Sequence, residues 1–314
     1  MAIENPKFIT ERQKTSEEKS PVFGEEILTQ ENKIQLEKDI ISSPGKNDDP
    51  LKEIWKERLK DKNLDSFLEA VFTLPIIFEA ACSLKNIKNV LEPNRLPKED
   101  KESLSDEKIM ALQELSESLG ILSKYLIRNK EDKDELRIFW GIYEQYSLSK
   151  EAYPVFEGIR SGILGQVGIY HLIKSLGLGC SLASWEEDVF EGTDFIISDT
   201  GDNPNIGRLQ VKYKREIFGV GIINAKTYDP TFAVETKIIV NGKESFIHFV
   251  PDVSFENLQR NCSPDELAFY VELPNNSPDG SPAINRITGV PSETLVRDFK
   301  TESDVAFKGK FVLA

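Results

Sequence analysis

The stretch from Glu191 to Arg215, EGTDFIISDTGDNPNIGRLQVKYKR, holds the residues of this chain best spaced for chemistry. Its middle, DTGDNPNIG, is a dense turn cluster between two strand-like runs. In an antiparallel hairpin, facing residue numbers add to a constant. A turn centred near Asp202 and Asn203 sets that constant at about 404–406. Asp194 then faces the chain between Gln210 and Lys212. Side chains alternate along a strand, so Gln210 and Lys212 share one face while Leu209, Val211 and Tyr213 share the other. One carboxylate, one amide oxygen and one ammonium are expected to converge, provided that no bulge shifts the register.

A carboxylate with a second oxygen donor can hold a hard cation such as Mg²⁺, which keeps several of its waters. Such a cation activates water and neutralises phosphoryl charge, while a lysine steadies the developing anion. That is the chemistry of phosphodiester hydrolysis. The competing reading is an exposed hairpin whose aspartate and lysine are merely solvated. Strongly apolar strands around the polar residues, and a glycine-rich amphipathic helix before them, favour a built site.

The segments EGIRSGILGQVGIYHLIKSLG, WEEDVFEGTDFII and LQVKYK together resemble the core of the PD-(D/E)xK nuclease superfamily, with its restriction-endonuclease-like fold. The Gln-x-Lys third motif is similar to that of Mrr-type restriction enzymes. The resemblance spans about 60 of the 314 residues. It implies that Asp194 is the metal-binding aspartate of the second strand. Gln210 and Lys212 match the polar positions of the third, with the Val211 carbonyl a further ligand. It implies a Mg²⁺- or Mn²⁺-dependent endonuclease, with DNA favoured over RNA as substrate. Gly192-Thr193 stand where a proline often precedes the aspartate, and Gln166 stands where many members carry a helical glutamate. A neutral amide holds Mg²⁺ more weakly than a carboxylate, so a catalytically degenerate nuclease fold, serving as a protein- or nucleic-acid-binding scaffold, is the alternative. Glu186, Glu187 and Asp188, read as the loop before the second strand, could add a ligand or simply be solvated.

The elements that must position these residues follow from patterning. Glu157 to Gly177 reads as a helix in which Gly162, Gly165 and Gly168 recur every third residue; glycine there costs about 1 kcal/mol each relative to alanine. Close approach to the sheet or to a bound backbone would justify it. Short β-branched runs follow: DFIIS, RLQVKYK, FAVETKIIV, SFIHFV and LAFYVEL, with Asn241-Gly242-Lys243 as a hairpin turn. ELPNNSPDGSPA, 272–283, reads as a long loop. Residues 151–314 are therefore expected to form an α/β (α+β) domain, a mixed sheet flanked by helices. Lys212, Lys214 and Arg215, with Arg208 nearby, form the densest basic cluster of this half, and Lys214, Arg215 and Arg208 are candidate phosphate contacts. Lys226 and Lys237 are further candidates, and His171 reads as a packing or surface residue.

Upstream, residues 50–150 show helical periodicity: LKEIWKERL, then a strongly apolar run from Asp65 to Leu91 broken by Pro75, then helices from Ser105 and from Glu135. No residue of this all-helical region has a nameable chemistry. Residues 1–49 carry too few apolar groups to offset chain entropy and are expected to be a disordered tail, with Glu25–Ile41 at most a weak or partner-induced helix. The tail and the helical region are the candidate surfaces for a protein partner.

Composition narrows the classes. The chain has 39 Lys and Arg against 53 Asp and Glu, a formal charge of −14. Residues 151–314 hold 15 against 23, so both halves are acidic and neither coats polyanions in general. Three scattered cysteines exclude a disulfide framework and a thiolate zinc site, and suit a reducing cytoplasm. Two histidines leave little for a His-rich metal site or a Ser-His-Asp triad. No window is expected to span a bilayer and the opening MAIENPKFITERQ lacks a signal-peptide core, so no membrane role is expected.

Overall fold

A computed structural model of the protein describes residues 65–91, 106–200, 204–214, 219–228, 235–240, 243–248, 253–263, 266–277 and 280–311. The expected tail at 1–49, the helix expected from Leu51 and the candidate phosphate contact Arg215 lie outside them.

Three helices of the upstream region fall within the described residues: α1 (Asp65–Leu91), α2 (Asp106–Arg128) and α3 (Lys133–Ser149). Pro75 sits inside α1 without ending it. The stretch Ser66–Leu84 has a mean hydropathy of 1.7 and is, by length and composition, able to cross a membrane, contrary to the sequence expectation. Half of it is buried within the protein. A helix covered by neighbours on several sides needs few polar positions, and passes the same test. Phe67, Val71, Leu74 and Ile77 are buried in a core shared with Tyr125 and Leu126 of α2 and with Phe139 of α3.

The glycine-rich helix is α4 (Tyr153–Ser175), with Pro154 in its first turn, where its missing N–H leaves no bond unmade. At Gly165 a Cβ would stand 3.4 Å from the Tyr213 Cβ, so this glycine brings the helix down onto the sheet. At Gly168 a Cβ would meet the Ile284 side chain at 2.4 Å, whereas at Gly162 it would meet nothing within 4 Å. Close approach therefore explains two of the three.

Four strands follow: β1 (Gly179–Leu182), β2 (Phe195–Ser198), β3 (Ile206–Lys214) and β4 (Gly221–Asn224), with helix α5 (Trp185–Glu191) between β1 and β2. Then come the hairpin β5 (Glu235–Val240) and β6 (Lys243–His248), helix α6 (Val253–Asn261), strand β7 (Leu267–Pro274) and helix α7 (Glu293–Ala306). The fold is mixed α+β, with a five-stranded sheet ordered β1-β2-β3-β7-β4 and seven helices among the described residues. β1, β2 and β3 are antiparallel in turn, β7 runs parallel to β3, and β4 is antiparallel to β7. β5 and β6 pair separately with Val240 opposite Lys243, the register of a two-residue loop.

Several of these elements depart from the sequence reading. Glu186–Asp188 lie in α5 rather than in a loop, because Ser184 caps the helix and Glu187 answers it in a capping box. Glu272 belongs to β7, so the loop read at 272–283 begins later. α6, α7, β1 and β4 are additions; α7 opens on Ser292, whose hydroxyl accepts from the Leu295 N–H.

Period-two alternation splits the sheet cleanly. Phe195, Ile197, Leu209, Val211, Phe269, Val271 and Leu273 point into the large core, which also takes in α1 to α4 and α7. Ala268, Tyr270 and Ile223 point the other way, into a smaller core with Phe255 and Leu258 of α6.

Candidate functional site

In the β2–β3 ladder Phe195 is opposite Leu209 and Ser198 opposite Ile206. The constant is thus 404, at the low edge of the expected range. Carried one residue past the end of β2, it sets Asp194 against Gln210. The Asp194 N–H donates to the Leu209 carbonyl at 2.8 Å, tying this residue to β3. Its carboxylate does more: Oδ2 accepts from Gln210 Nε2 at 2.7 Å and from the Val211 N–H at 2.6 Å. Bonds to an ionised acceptor are short and strong, so the end of the hairpin is held by a side chain where ladder carbonyls run out.

Gln210 is only 4% exposed, and its Nε2 also lies 3.5 Å from the Val211 carbonyl oxygen. Two oxygens, from Asp194 and Val211, therefore converge on one positively polarised NH₂ group. A hard cation seeks such a position. Half a turn of the amide presents its oxygen instead of its nitrogen, since the two ends are sterically equivalent. Asp194, Val211 and Gln210 then form an all-oxygen set of one charged and two neutral donors. Among the described residues no cluster of three or more His, Cys, Asp or Glu is grouped for a metal, so any cation here would keep much of its water shell.

Lys212 is the next residue on this face, half-buried, opposite Glu272 across the parallel β3–β7 pairing. Glu272 is 2% exposed and forms an ion pair with Lys214, which follows Lys212 on the same face. Asp188 reaches the neighbourhood from α5. Its Oδ2 accepts from Ser116 of α2 at 2.7 Å, and the Lys212 ammonium acts on its charge. Burial raises the Asp188 carboxyl above its ordinary range, more than the Ser116 hydroxyl and Lys212 lower it.

Comparison with protein-family models, curated proteins and solved structures gives no match.

The candidate phosphate contacts on β3 are otherwise engaged. Arg208 pairs with Glu191, stands 3.3 Å from Glu266 and 3.9 Å from Glu187, and its side chain is 16% exposed. Burial opposes its charge, but the carboxylates of Glu266 and Glu191 more than offset this and hold its pKa above the usual value. Three acids around one guanidinium leave it no attraction to spare for a phosphate, which corrects the sequence reading. Lys214 is likewise engaged by Glu272. Gln166, expected beside the metal, accepts from Ser123 of α2 at 2.8 Å, on the helix that covers the opposite, apolar face of the sheet. The Lys226 ammonium bonds the Ser263 carbonyl. His171 is half-buried against Tyr170, its pKa lowered by burial and by Lys130.

Near the trio the sequence reading misses one residue, Glu272, and puts another, the possible ligand Asp188, on the wrong element. Glu272 was hidden at the junction of a strand and a supposed loop, though an acid within LAFYVEL is itself a signal. Asp188 was visible, and the S-x-x-E box at Ser184–Glu187 would have put it on a helix.

Proposed function

We propose that this chain hydrolyses phosphodiester bonds in nucleic acid, DNA before RNA, within a restriction-endonuclease-like fold in the cytoplasm. The observation that carries the proposal is the shared face: Asp194, Gln210 and Lys212 lie side by side, with Asp194 Oδ2 and the Val211 carbonyl turned toward the same Gln210 amide. The reading is supported by a helix ahead of the strands, Asp194 at the head of the second strand and Gln-x-Lys on the third, with the short helix α5 between the first two. The three free cysteines suit a reducing compartment.

Asp194, Val211 and Gln210 would hold Mg²⁺ or Mn²⁺. Such an ion, when bound, lowers the pKa of its water and offsets phosphoryl charge. Lys212 then lies within a side chain of the scissile group and neutralises charge that develops on its oxygens. Glu272 takes up Lys214, and Lys212, which acts on the Asp188 charge, is the ammonium on the face of Asp194 and Gln210.

Purified protein is incubated with linear, supercoiled and single-stranded DNA and with RNA, in Mg²⁺ or Mn²⁺. Metal-dependent cleavage should fall at least about a hundred-fold in Asp194→Ala and in Lys212→Ala, by analogy with removal of one transition-state donor worth about 3 kcal/mol. Cleavage unchanged in both variants removes the assignment.

A second reading has its own support. Asp194 is satisfied by two donors, and Arg208 and Lys214 are neutralised, as befits a degenerate nuclease fold that serves as a scaffold for a protein partner. Titration calorimetry with Mg²⁺ separates the two: heat that vanishes in Asp194→Asn favours the hydrolase, and its absence in the parent protein favours the scaffold.

A further inference from the structure

With Arg208 and Lys214 neutralised, a nucleic-acid chain must find its cations elsewhere. A groove of about 730 Å³ runs between α2 and the junction of β1 with α5. That is within the range of about 300–1,000 Å³ typical of ligand sites. Lys124 and Arg128 stand one helical turn apart on its α2 wall, both exposed. Among the described residues neither makes an ion pair or a side-chain hydrogen bond. Residues at this spacing hold their Cβ atoms about 5–6 Å apart. Trp185, at the start of α5, and Tyr170 of α4 also line it. The indole is braced edge-on by Phe190 at 5.7 Å between centroids. Gly120, one turn before Lys124 on the same α2 wall, also lines the groove, and a Cβ there would meet nothing within 4 Å. The groove also adjoins the proposed catalytic face: Ser116 lines it and donates to Asp188, on whose charge Lys212 acts.

We propose that this groove binds single-stranded nucleic acid, with phosphates at Lys124 and Arg128 and a base stacked on Trp185. Unpaired cations beside aromatic faces are the combination that single strands use, because every base has a stacking face. The groove's place beside Ser116 directs the strand toward Lys212, and this direction rests on the hydrolase reading. The binding itself does not. The helical region thus supplies the phosphate contacts through α2, while Glu117, which also lines the groove, is engaged by the Gln113 amide at 2.9 Å.

The test is fluorescence anisotropy of a labelled oligo(dT) with the full chain in EDTA, where no cleavage can occur. Trp185→Ala and the double variant Lys124→Ala/Arg128→Ala should each raise Kd about ten-fold. The double variant should also flatten the plot of log K against log salt by about 0.7 for each phosphate it no longer neutralises. Gly120→Phe fills the groove from an open position and should weaken binding with an unchanged melting temperature, so a fall in affinity cannot be ascribed to unfolding. Failure of the parent protein to bind, affinity indifferent to all three changes, or equal competition by poly-glutamate overturns the proposal. Cleavage assays run alongside keep the two readings apart: binding without cleavage leaves the groove and removes the hydrolase, while cleavage of single strands indifferent to the groove variants removes the groove alone.

Discussion

The two faces of β3 are built on opposite terms. Leu209, Val211 and Tyr213 meet α4 and the large core, and what holds them is area removed from water. Arg208, Gln210, Lys212 and Lys214, interleaved with them, lie among carboxylates brought by α5, β7 and the chain before it. Buried charge is tolerable only when it is paired, and here every partner is supplied from a distance in sequence. One strand thus forms an apolar wall on one side and a paired polar surface on the other, with glycine at position 165 admitting the helix to within 3.4 Å of the Tyr213 Cβ.

The largest test of this division is Leu209→Ala. Deleting a fully buried side chain should cost about 2–5 kcal/mol by urea denaturation, whereas Lys212→Ala, at a half-buried position, should cost well under that. If the two lose equal stability, the faces are not distinct. Next is Lys214→Ala, which strands the buried Glu272 carboxylate and should cost about 1–3 kcal/mol; an unchanged midpoint would make the even-numbered face merely solvated. On the α4 side, Gly168→Ala should destabilise by about 1–3 kcal/mol through collision with Ile284, while Gly162→Ala, in open space, should gain up to about 1 kcal/mol. The smallest effect is electrostatic. Asp188 has a folded pKa raised above its reference of 3.8. Its ionised form is therefore disfavoured by folding, and its favourable contribution exists only below that reference and fades as pH rises through the folded value. Asp188→Asn should raise the melting temperature slightly at about pH 7, with the gap closing as the pH falls toward about 4.

What could be read from the sequence was whatever is local. The turn cluster at 199–207 set the register to within one residue, and the face shared by Asp194, Gln210 and Lys212 followed from it. The partners of Arg208 and Lys214 were not legible, because Glu191, Glu266 and Glu272 are 17, 58 and 58 residues away and meet them only through α5 and the parallel β3–β7 pairing. Two members of a basic cluster in sequence, Arg208 and Lys214, are thus paired with acids in space. The strands β1 and β4, four residues each, are too short for alternation to register. α7 is different: a cap at Ser292 and apolar residues at 295, 296 and 299 are local signals, and they suffice to mark a helix there.

The Trp140 indole N–H donates to the Ile287 carbonyl at 2.8 Å, and the Tyr143 hydroxyl to that of Phe156 at 2.7 Å, within an apolar cluster that extends from Phe67 to Phe311. Anyone dissecting the protein meets the consequence at the bench. A fragment cut at residue 151 would carry a bare greasy flank where α1, α2 and α3 had rested, and would precipitate or cling to chaperones, so expression trials should retain the preceding helices.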